Sequence, residues 1–399
     1  MPTKIDKKNT ILSHAVGMSI MIAFLLPHNT SSLLLLVNPI IVIIFKLFKQ
    51  NRNIYKNSLI IIVSLLITLI INIPQDISFK SIQRGAAIIL YFICFPFVGS
   101  VKVPQTYLYV TFSFILISQY YTLLDIPLLT NFINTYYPMS EFSEGTLTYI
   151  DEHVNTENFT SYRHAGIFRN SNACAEALSM LLAFFIINKS EEKAIIKNAI
   201  AIAIYYAIFI TGSRSGFIVS SLLILINLLI NNEHSNLTRT ISVIIIIIVT
   251  LLFFGVNSGN YRALEIQEGL SSSLNTKLLT FKSYLYNEDS LIKLTLGYWD
   301  SSIYANIAET GVMKTFDSDY GSIIFSYGFI GFIAIIFFIY SVFRDVRGIE
   351  KTYFLLILWM FSATIFKSYR MIFIFMLLLS IIYSNSINRK DITTNNSTK

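Results

Sequence analysis

Long apolar runs separated by short polar breaks dominate this sequence and limit what it can fold into. The chain has 399 residues, of which 54% are hydrophobic and 13% charged, and its mean hydropathy is +0.61. In a soluble domain about a quarter of the residues are charged. A helix that crosses a bilayer needs roughly 20 apolar residues. The sequence therefore predicts an all-α, polytopic integral membrane protein that forms a single transmembrane domain over residues 1–399.

Runs of suitable length predict about twelve membrane-spanning helices. They cover residues 12–27, 31–48, 58–73, 85–100, 105–124, 172–188, 195–212, 215–231, 239–255, 319–342, 353–367 and 371–386. Lys and Arg concentrate in the tails and in the short loops, which predicts that those segments face the cytoplasm. With an even number of spans both termini are cytoplasmic, and the basic balance reflects this topology, with no nucleic-acid partner implied.

Two long segments, residues 125–171 and 256–318, are predicted to be extracytoplasmic loops. The first mixes aromatic residues with carboxylates and amides, which suits either sugar binding or an aromatic belt at the membrane interface. The second carries Leu274, Leu278, Phe281 and Leu285 at helical spacing. That spacing predicts an amphipathic helix lying over the membrane face.

Charged and polar residues cluster at the outer ends of three predicted spans. The clusters are Arg163, His164 and Arg169 before the span at 172–188, the turn 211–216 with Arg214 at its centre, and the acids Asp317 and Asp319 before the span at 319–342. Unpaired charges near hydrocarbon are costly, so these groups indicate an anionic ligand at the outer face. The alternatives are arginines that anchor the chain at the interface and aspartates that cap a helix.

Several kinds of chemistry have no support in the sequence. It contains no Walker loop, dinucleotide fingerprint, His-Glu-x-x-His or Cys-x-x-Cys. Asp317-Ser318-Asp319 has the Asp-x-Asp form of metal-dependent glycosyltransferases, but the predicted topology places it outside, away from sugar nucleotides. We therefore predict no metal and no cofactor.

The three clusters together resemble a known family. Arg163-His-Ala-Gly-Ile-Phe-Arg-Asn-Ser-Asn172 resembles the first element of the superfamily of O-antigen polymerases and O-antigen ligases, with Ser171 where Pro is common. Thr211-Gly-Ser-Arg214 resembles its second element. Asp317-Ser-Asp-Tyr320, followed by Tyr327-Gly-Phe-Ile-Gly331, resembles its third. Ligases carry a His where this chain has Asp317, and this difference favours a polymerase.

The resemblance implies a membrane glycosyltransferase that polymerises O-antigen or capsule at the outer leaflet of the bacterial inner membrane. Donor and acceptor would be polyprenyl-diphosphate-linked oligosaccharides, the reaction would be inverting and metal-independent, and a chain-length regulator is an expected partner. Two alternatives remain at this point. One is a ligase that transfers glycan to lipid A-core, and the other is a transporter or flippase for the lipid-linked unit.

Each candidate residue receives a role from this resemblance. Arg163 and Arg214 would stabilise the leaving diphosphate, with Arg169 as a weaker third cation. Asp317, Asp319 and His164 compete as the base that activates the acceptor hydroxyl. The residues predicted to bind substrate are Arg169, Asn172, Ser213 and Tyr320.

Overall fold

The computed structural model describes residues 4–26, 59, 62–68, 70, 86, 89–92, 103–120, 126–137, 166–168, 171–187, 194–230, 240, 243–244, 246–248, 295–297, 305–307, 312–314, 319–359 and 369–397. The chain divides into two compact units. The central unit comprises Ile20–Ser31 and Pro104–Ile266, and the terminal unit comprises Met1–Ser19, Ser32–Val103 and Gln267–Lys399. The first and second elements thus belong to the central unit, and the third belongs to the terminal unit.

Helices account for most of the described residues, which confirms the prediction of an all-α chain. In chain order they are α1 Lys4–Leu25, α2 Gln105–Gln119, α3 Pro127–Tyr136, α4 Ser171–Ile187, α5 Ala194–Ile210, α6 Arg214–Ile230, α7 Asp319–Asp345, α8 Ile349–Trp359 and α9 Tyr369–Ser397. A 3-10 turn covers Gly166–Phe168. Among the described residues, the strands are a short antiparallel pair, β1 Ala305–Ile307 and β2 Val312–Lys314, with Asn306 opposite Met313.

The central unit is built around α4. Every residue from Cys174 to Phe185 is buried, so this helix has no exposed face along that stretch. Its neighbours are α2, α5, α6 and the 3-10 turn. A helix that is hydrophobic on all sides belongs in the middle of a bundle, because it has no polar face to offer to solvent.

The terminal unit has a similar buried helix, α9, whose residues Met371–Tyr383 are all buried. Its neighbours include α7 and α8. Aromatic pairs from an earlier helical segment pack on both long helices. The Phe92 ring meets Phe338 of α7 edge-on at 5.0 Å, and the Tyr91 ring lies 5.4 Å from Phe373 of α9.

One described helix, Ser326–Asp345 within α7, is long and apolar enough to cross a membrane, with a mean hydropathy of 2.1 over its best window. Shorter apolar helices cover Ser13–Leu25, Ala173–Ile187, Ala199–Ile210, Gly216–Leu229 and Met371–Ser386. The bounds of α4, α5 and α6 agree closely with the predicted runs at 172–188, 195–212 and 215–231. Elsewhere the bounds differ from the prediction: α2 ends at Gln119, and α9 continues to Ser397.

Candidate functional site

The predicted site residues are described to different extents. Arg163, His164, Arg169 and Asp317 lie outside the described residues. Asn172 lies in the first turn of α4, Arg214 is the first residue of α6, and Asp319 and Tyr320 begin α7; for these four the structure describes the backbone. The Ser213 side chain is described and is 2% exposed.

Gly166 fixes the backbone of the first element. It has a φ of +55°, and a Cβ at this position would overlap Ser118 Oγ and lie 3.0 Å from the Gln119 nitrogen. Positive φ is accessible to glycine without steric cost. The next residue, Ile167, donates its N–H to Ser118 Oγ at 3.2 Å, and the Ser118 hydroxyl donates to the Ile115 carbonyl at 2.7 Å. The part of the first element at residues 166–168 therefore packs on the last turn of α2.

Gln119, the last residue of α2, connects three helices. Its side chain is fully buried, and Nε2 donates to the Ala207 carbonyl of α5 at 3.1 Å. The same amide nitrogen lies 3.5 Å from Cys174 Sγ of α4. A buried amide must make such bonds because its desolvation costs several kcal/mol, on the order of 2–7. Gln119 therefore holds α2, α4 and α5 in register beside the first element.

The second element is a tight turn between α5 and α6. The N–H of Gly212, which has a φ of +65°, donates to the Phe209 carbonyl at 3.1 Å and ends α5. The Thr211 hydroxyl donates to the Ile208 carbonyl at 2.6 Å and accepts from the Ser213 N–H at 3.2 Å. The Ser213 carbonyl then accepts the first bond of α6, from Phe217 N at 3.0 Å. A positive-φ glycine commonly ends a helix in this way.

The starts of α4 and α6 lie against each other. Gly216 approaches α4 so closely that a Cβ on it would lie 2.6 Å from Ala175 Cβ. Ser179 Oγ donates to the Ala175 carbonyl at 2.7 Å and reaches the Gly216 carbonyl at 3.3 Å. Because Ala175 and Gly216 both lie in the first two turns of their helices, the N-terminal ends of α4 and α6 occupy one end of the central unit.

This arrangement favours anions. The N–H groups of a first helical turn have no intrahelical acceptor and carry partial positive charge. Here two such turns stand together, and Arg214 begins one of them. Sequence adds Arg163 and Arg169 a few residues before the other. Helix N-termini combined with arginines are well suited to phosphate oxygens.

The third element lies in the terminal unit, at a break in α7. Gly328 has φ 64° and ψ −176°, which interrupts the helix between its Asp319 start and its apolar part. A Cβ on Gly328 would lie 2.5 Å from Leu296 N, and one on Gly297, whose φ is +75°, would lie 2.5 Å from the Ser326 carbonyl. Residues 295–297, which lie within the second predicted loop, therefore contact the backbone at this break. The predicted span at 319–342 is two helical segments joined at Gly328.

Two contributors were missed by sequence reasoning. Gln119 had a usable signal, because an amide inside an apolar run is normally bonded to another helix. Gly297 had no such signal, because its importance depends on its contact with residues 326–328.

No protein-family model matches this chain, and no curated protein matches it.

Proposed function

We propose that this protein is a membrane glycosyltransferase of the polysaccharide polymerase kind. It joins polyprenyl-diphosphate-linked oligosaccharide repeat units of an O-antigen or capsule at the outer leaflet of the bacterial inner membrane. The proposal includes the predicted topology: about twelve membrane spans, two cytoplasmic termini and two extracytoplasmic loops.

Apolar outer faces support the membrane location. Along α7, Ile333 and Tyr340 are 62% and 60% exposed, and Ile202 of α5 is 66% exposed. The opposite face of α7 is equally apolar, with Ile335 and Phe338 buried at 1%. A helix that is apolar on its exposed face as well as on its buried face is suited to lipid.

The contact between Ala175 and Gly216 is the observation that supports the proposed activity. It brings together the start of α4, which follows Arg163 and Arg169 in the sequence, and the start of α6, whose first residue is Arg214. A lipid-linked donor carries its negative charge on a diphosphate at the membrane surface. Two helix N-termini with Arg214 would hold that diphosphate, and Arg163 and Arg169 would add to the charge.

The proposed reaction forms one bond and breaks one. A hydroxyl oxygen of the acceptor sugar attacks the anomeric carbon of the donor from the side opposite the diphosphate. The bond from that carbon to the diphosphate oxygen breaks, the configuration inverts, and the polyprenyl diphosphate leaves with the electron pair. Arg163 and Arg214 stabilise the charge on the leaving group, and a base takes the hydroxyl proton; Asp317, Asp319 and His164 are its candidates. Asn172, Ser213 and Tyr320 are proposed to bind sugar or phosphate.

Arginine variants test this proposal. We expect Arg214→Ala and Arg163→Ala each to lower polymer formation by purified protein roughly 100- to 1000-fold, since one preorganised donor contributes on the order of 3 kcal/mol. Arg214→Lys should recover part of the rate because Lys keeps the charge but lacks the planar fork. Arg344→Ala is the matched control. Its side chain is 67% exposed at the far end of α7, so the rate should not change.

The arginine variants, a deletion strain and the purified protein together separate the alternatives. Retained chain-length ladders in both Arg163→Ala and Arg214→Ala would overturn the proposed site. A deletion strain that attaches single repeat units to their anchor fits a polymerase, whereas a bare anchor identifies a ligase. Extension of lipid-linked units by purified protein in detergent, where no gradient exists, would exclude a pure transporter.

A further inference from the structure

We propose that α3 is an interfacial helix that lies in the plane of the membrane, with Leu128, Phe132 and Tyr136 inserted into the hydrocarbon edge of the outer leaflet. This inference rests on the proposed membrane location. It assigns a lipid-binding role to the start of a segment that sequence alone predicts to be an extracytoplasmic loop.

The exposed stripe on α3 is apolar and continuous. Leu128, Phe132 and Tyr136 follow one another at intervals of four residues, so they share one side of the helix. They are 83%, 39% and 56% exposed, and the Phe132 and Tyr136 rings pack together at 5.0 Å. Three exposed apolar side chains in a row are unfavourable in water, which indicates that the stripe is covered in the native setting.

A second apolar side of α3 holds the helix to the central unit. Ile133 is completely buried, and Tyr137, directly after the helix, is 7% exposed. The Tyr137 hydroxyl donates to the Leu25 carbonyl at the end of α1. At 100° per residue, Ile133 and Tyr137 lie on one flank of the exposed stripe, and the exposed Asn131 lies on the other flank. The helix therefore presents protein-facing, lipid-facing and polar sides in turn.

The ends of α3 fix its depth. It begins at Pro127, shortly after α2 ends at Gln119, and Tyr137 directly after it is bonded to the end of α1 at Leu25. In the proposed topology α1 and α2 both run from the cytoplasm outward, so both ends lie at the outer surface. A helix that follows one of these ends in the chain and is bonded to the other should lie at that surface. Aromatic residues such as Phe132 and Tyr136 are common at this depth, where hydrocarbon meets headgroups.

Lipid is the occupant that fits the stripe best. The chain has no charged residue between Asp125 and Glu141, so the stripe offers no charge to a protein partner or a phosphate. Its area is also too small for a stable dimer. An aromatic side chain contributes at most about 150–250 Å², whereas a stable interface buries about 800 Å² on each partner. Three partly exposed side chains fall well below that value.

Single tryptophans can locate α3 in the full-length protein. Trp299 and Trp359 are the two native tryptophans and would be replaced by Phe. Leu128→Trp, Asn131→Trp and Ile202→Trp are then each reconstituted in vesicles of phosphatidylethanolamine and phosphatidylglycerol that carry bromine at defined acyl positions. We expect Leu128→Trp emission to be blue-shifted and quenched most by bromine near the headgroup end. Asn131→Trp should be quenched by iodide from the aqueous phase.

The comparison with Ile202→Trp separates this inference from the membrane proposal. If Ile202→Trp is quenched by bromine while Leu128→Trp is quenched by iodide as strongly as Asn131→Trp, the interfacial role of α3 is wrong and the membrane location stands. If Ile202→Trp is also open to iodide, the membrane location fails. A disulfide-linked dimer of Leu128→Cys in a background without Cys94 and Cys174, at low protein-to-lipid ratio, would identify a second copy as the occupant and overturn the lipid assignment.

Discussion

Glycine allows close packing in both units, but it does so against different neighbours. In the central unit, Gly166 and Gly216 approach side chains, namely Ser118 Oγ and Ala175 Cβ, although Gly166 also lies close to the α2 backbone. In the terminal unit, Gly297 approaches the backbone of Ser326 and Gly328, and Gly328 approaches the backbone of Thr295 and Leu296. A neighbouring side chain can be shortened by mutation, whereas a backbone cannot. The defect caused by a side chain at position 216 should therefore be reversible by a second substitution, whereas the defect caused by a side chain at position 328 should not.

The largest effect is expected at Gly328. Gly328→Ala places a side chain at φ 64° and ψ −176°, a region that glycine alone populates. The strain costs about 1–3 kcal/mol, and the overlap with Thr295 and Leu296 adds about 1–3 kcal/mol. We expect loss of folded protein, measured as the monodisperse fraction after detergent extraction. Gly297→Ala should behave in the same way. A normal yield of folded Gly328→Ala would show that the backbone at residues 295–296 can move away from position 328 without loss of stability.

Gly166→Ala should come next. Its φ of +55° costs an alanine about 1–2 kcal/mol. Displacing Ser118 Oγ also removes the acceptor of the Ile167 N–H, which costs about 1–3 kcal/mol. We expect a lower thermal denaturation temperature and loss of polymer, because the chain between Arg163 and Arg169 shifts. Ser118→Ala, which lacks the hydroxyl, is the comparison variant. If it lowered stability as much as Gly166→Ala does, the backbone strain at Gly166 would not matter.

Gly216→Ala should have a smaller effect that can be reversed. Gly216 has an ordinary helical backbone, so the cost is the overlap with Ala175 Cβ, about 1–3 kcal/mol. Ala175→Gly removes that methyl group at a cost of about 0.5–1 kcal/mol. We expect the double variant to be more stable than Gly216→Ala alone. Additive losses in the four-variant cycle, measured by thermal denaturation, would mean that α4 and α6 are not in contact there.

Gly348→Ala should give the smallest effect and serves as the control for backbone strain. Its φ is also +64°, but a Cβ would have Glu350 Oε2 as its nearest neighbour, at an ordinary 3.6 Å. We expect a loss of about 1 kcal/mol from the left-handed conformation alone. Polymer formation should be unchanged. If Gly348→Ala lost as much stability as Gly328→Ala, the loss at Gly328 would come from its positive φ alone, and the contact with residues 295–297 would have no role.

The apolar pattern predicts α4, α5 and α6 of the central unit well, and the reason is local, whereas α3 lies in a segment predicted to be a loop. The runs that form α5 and α6 are separated by Gly212 and Ser213, which end one helix and begin the next. The break in α7 was not predictable, because Gly328 stands in an apolar run and packs against the backbone of Thr295 and Leu296. The local sequence around Gly328 does not indicate a contact with a segment about thirty residues earlier in the chain.

The site was predictable to a similar degree. Sequence placed the second element at a turn between two helices, and the structure adds that its helix packs against the helix that follows the first element. The sequence could not predict that Gly166 and Ile167 pack on Ser118, because this contact joins segments far apart in the chain. The roles of all the predicted site residues stay predictions, and Arg163, His164, Arg169 and Asp317 lie outside the described residues.

Gln119 has a consequence for how the protein is made. A chain that enters a bilayer from its N-terminus delivers α2 before α4 and α5 have been synthesised. The acceptors that Gln119 uses on Cys174 and Ala207 do not exist at that stage. In the proposed membrane topology, the position of α2 can therefore become final only after residue 207 has been inserted. Gly166, which packs on the end of α2, reaches its final position no earlier than that step.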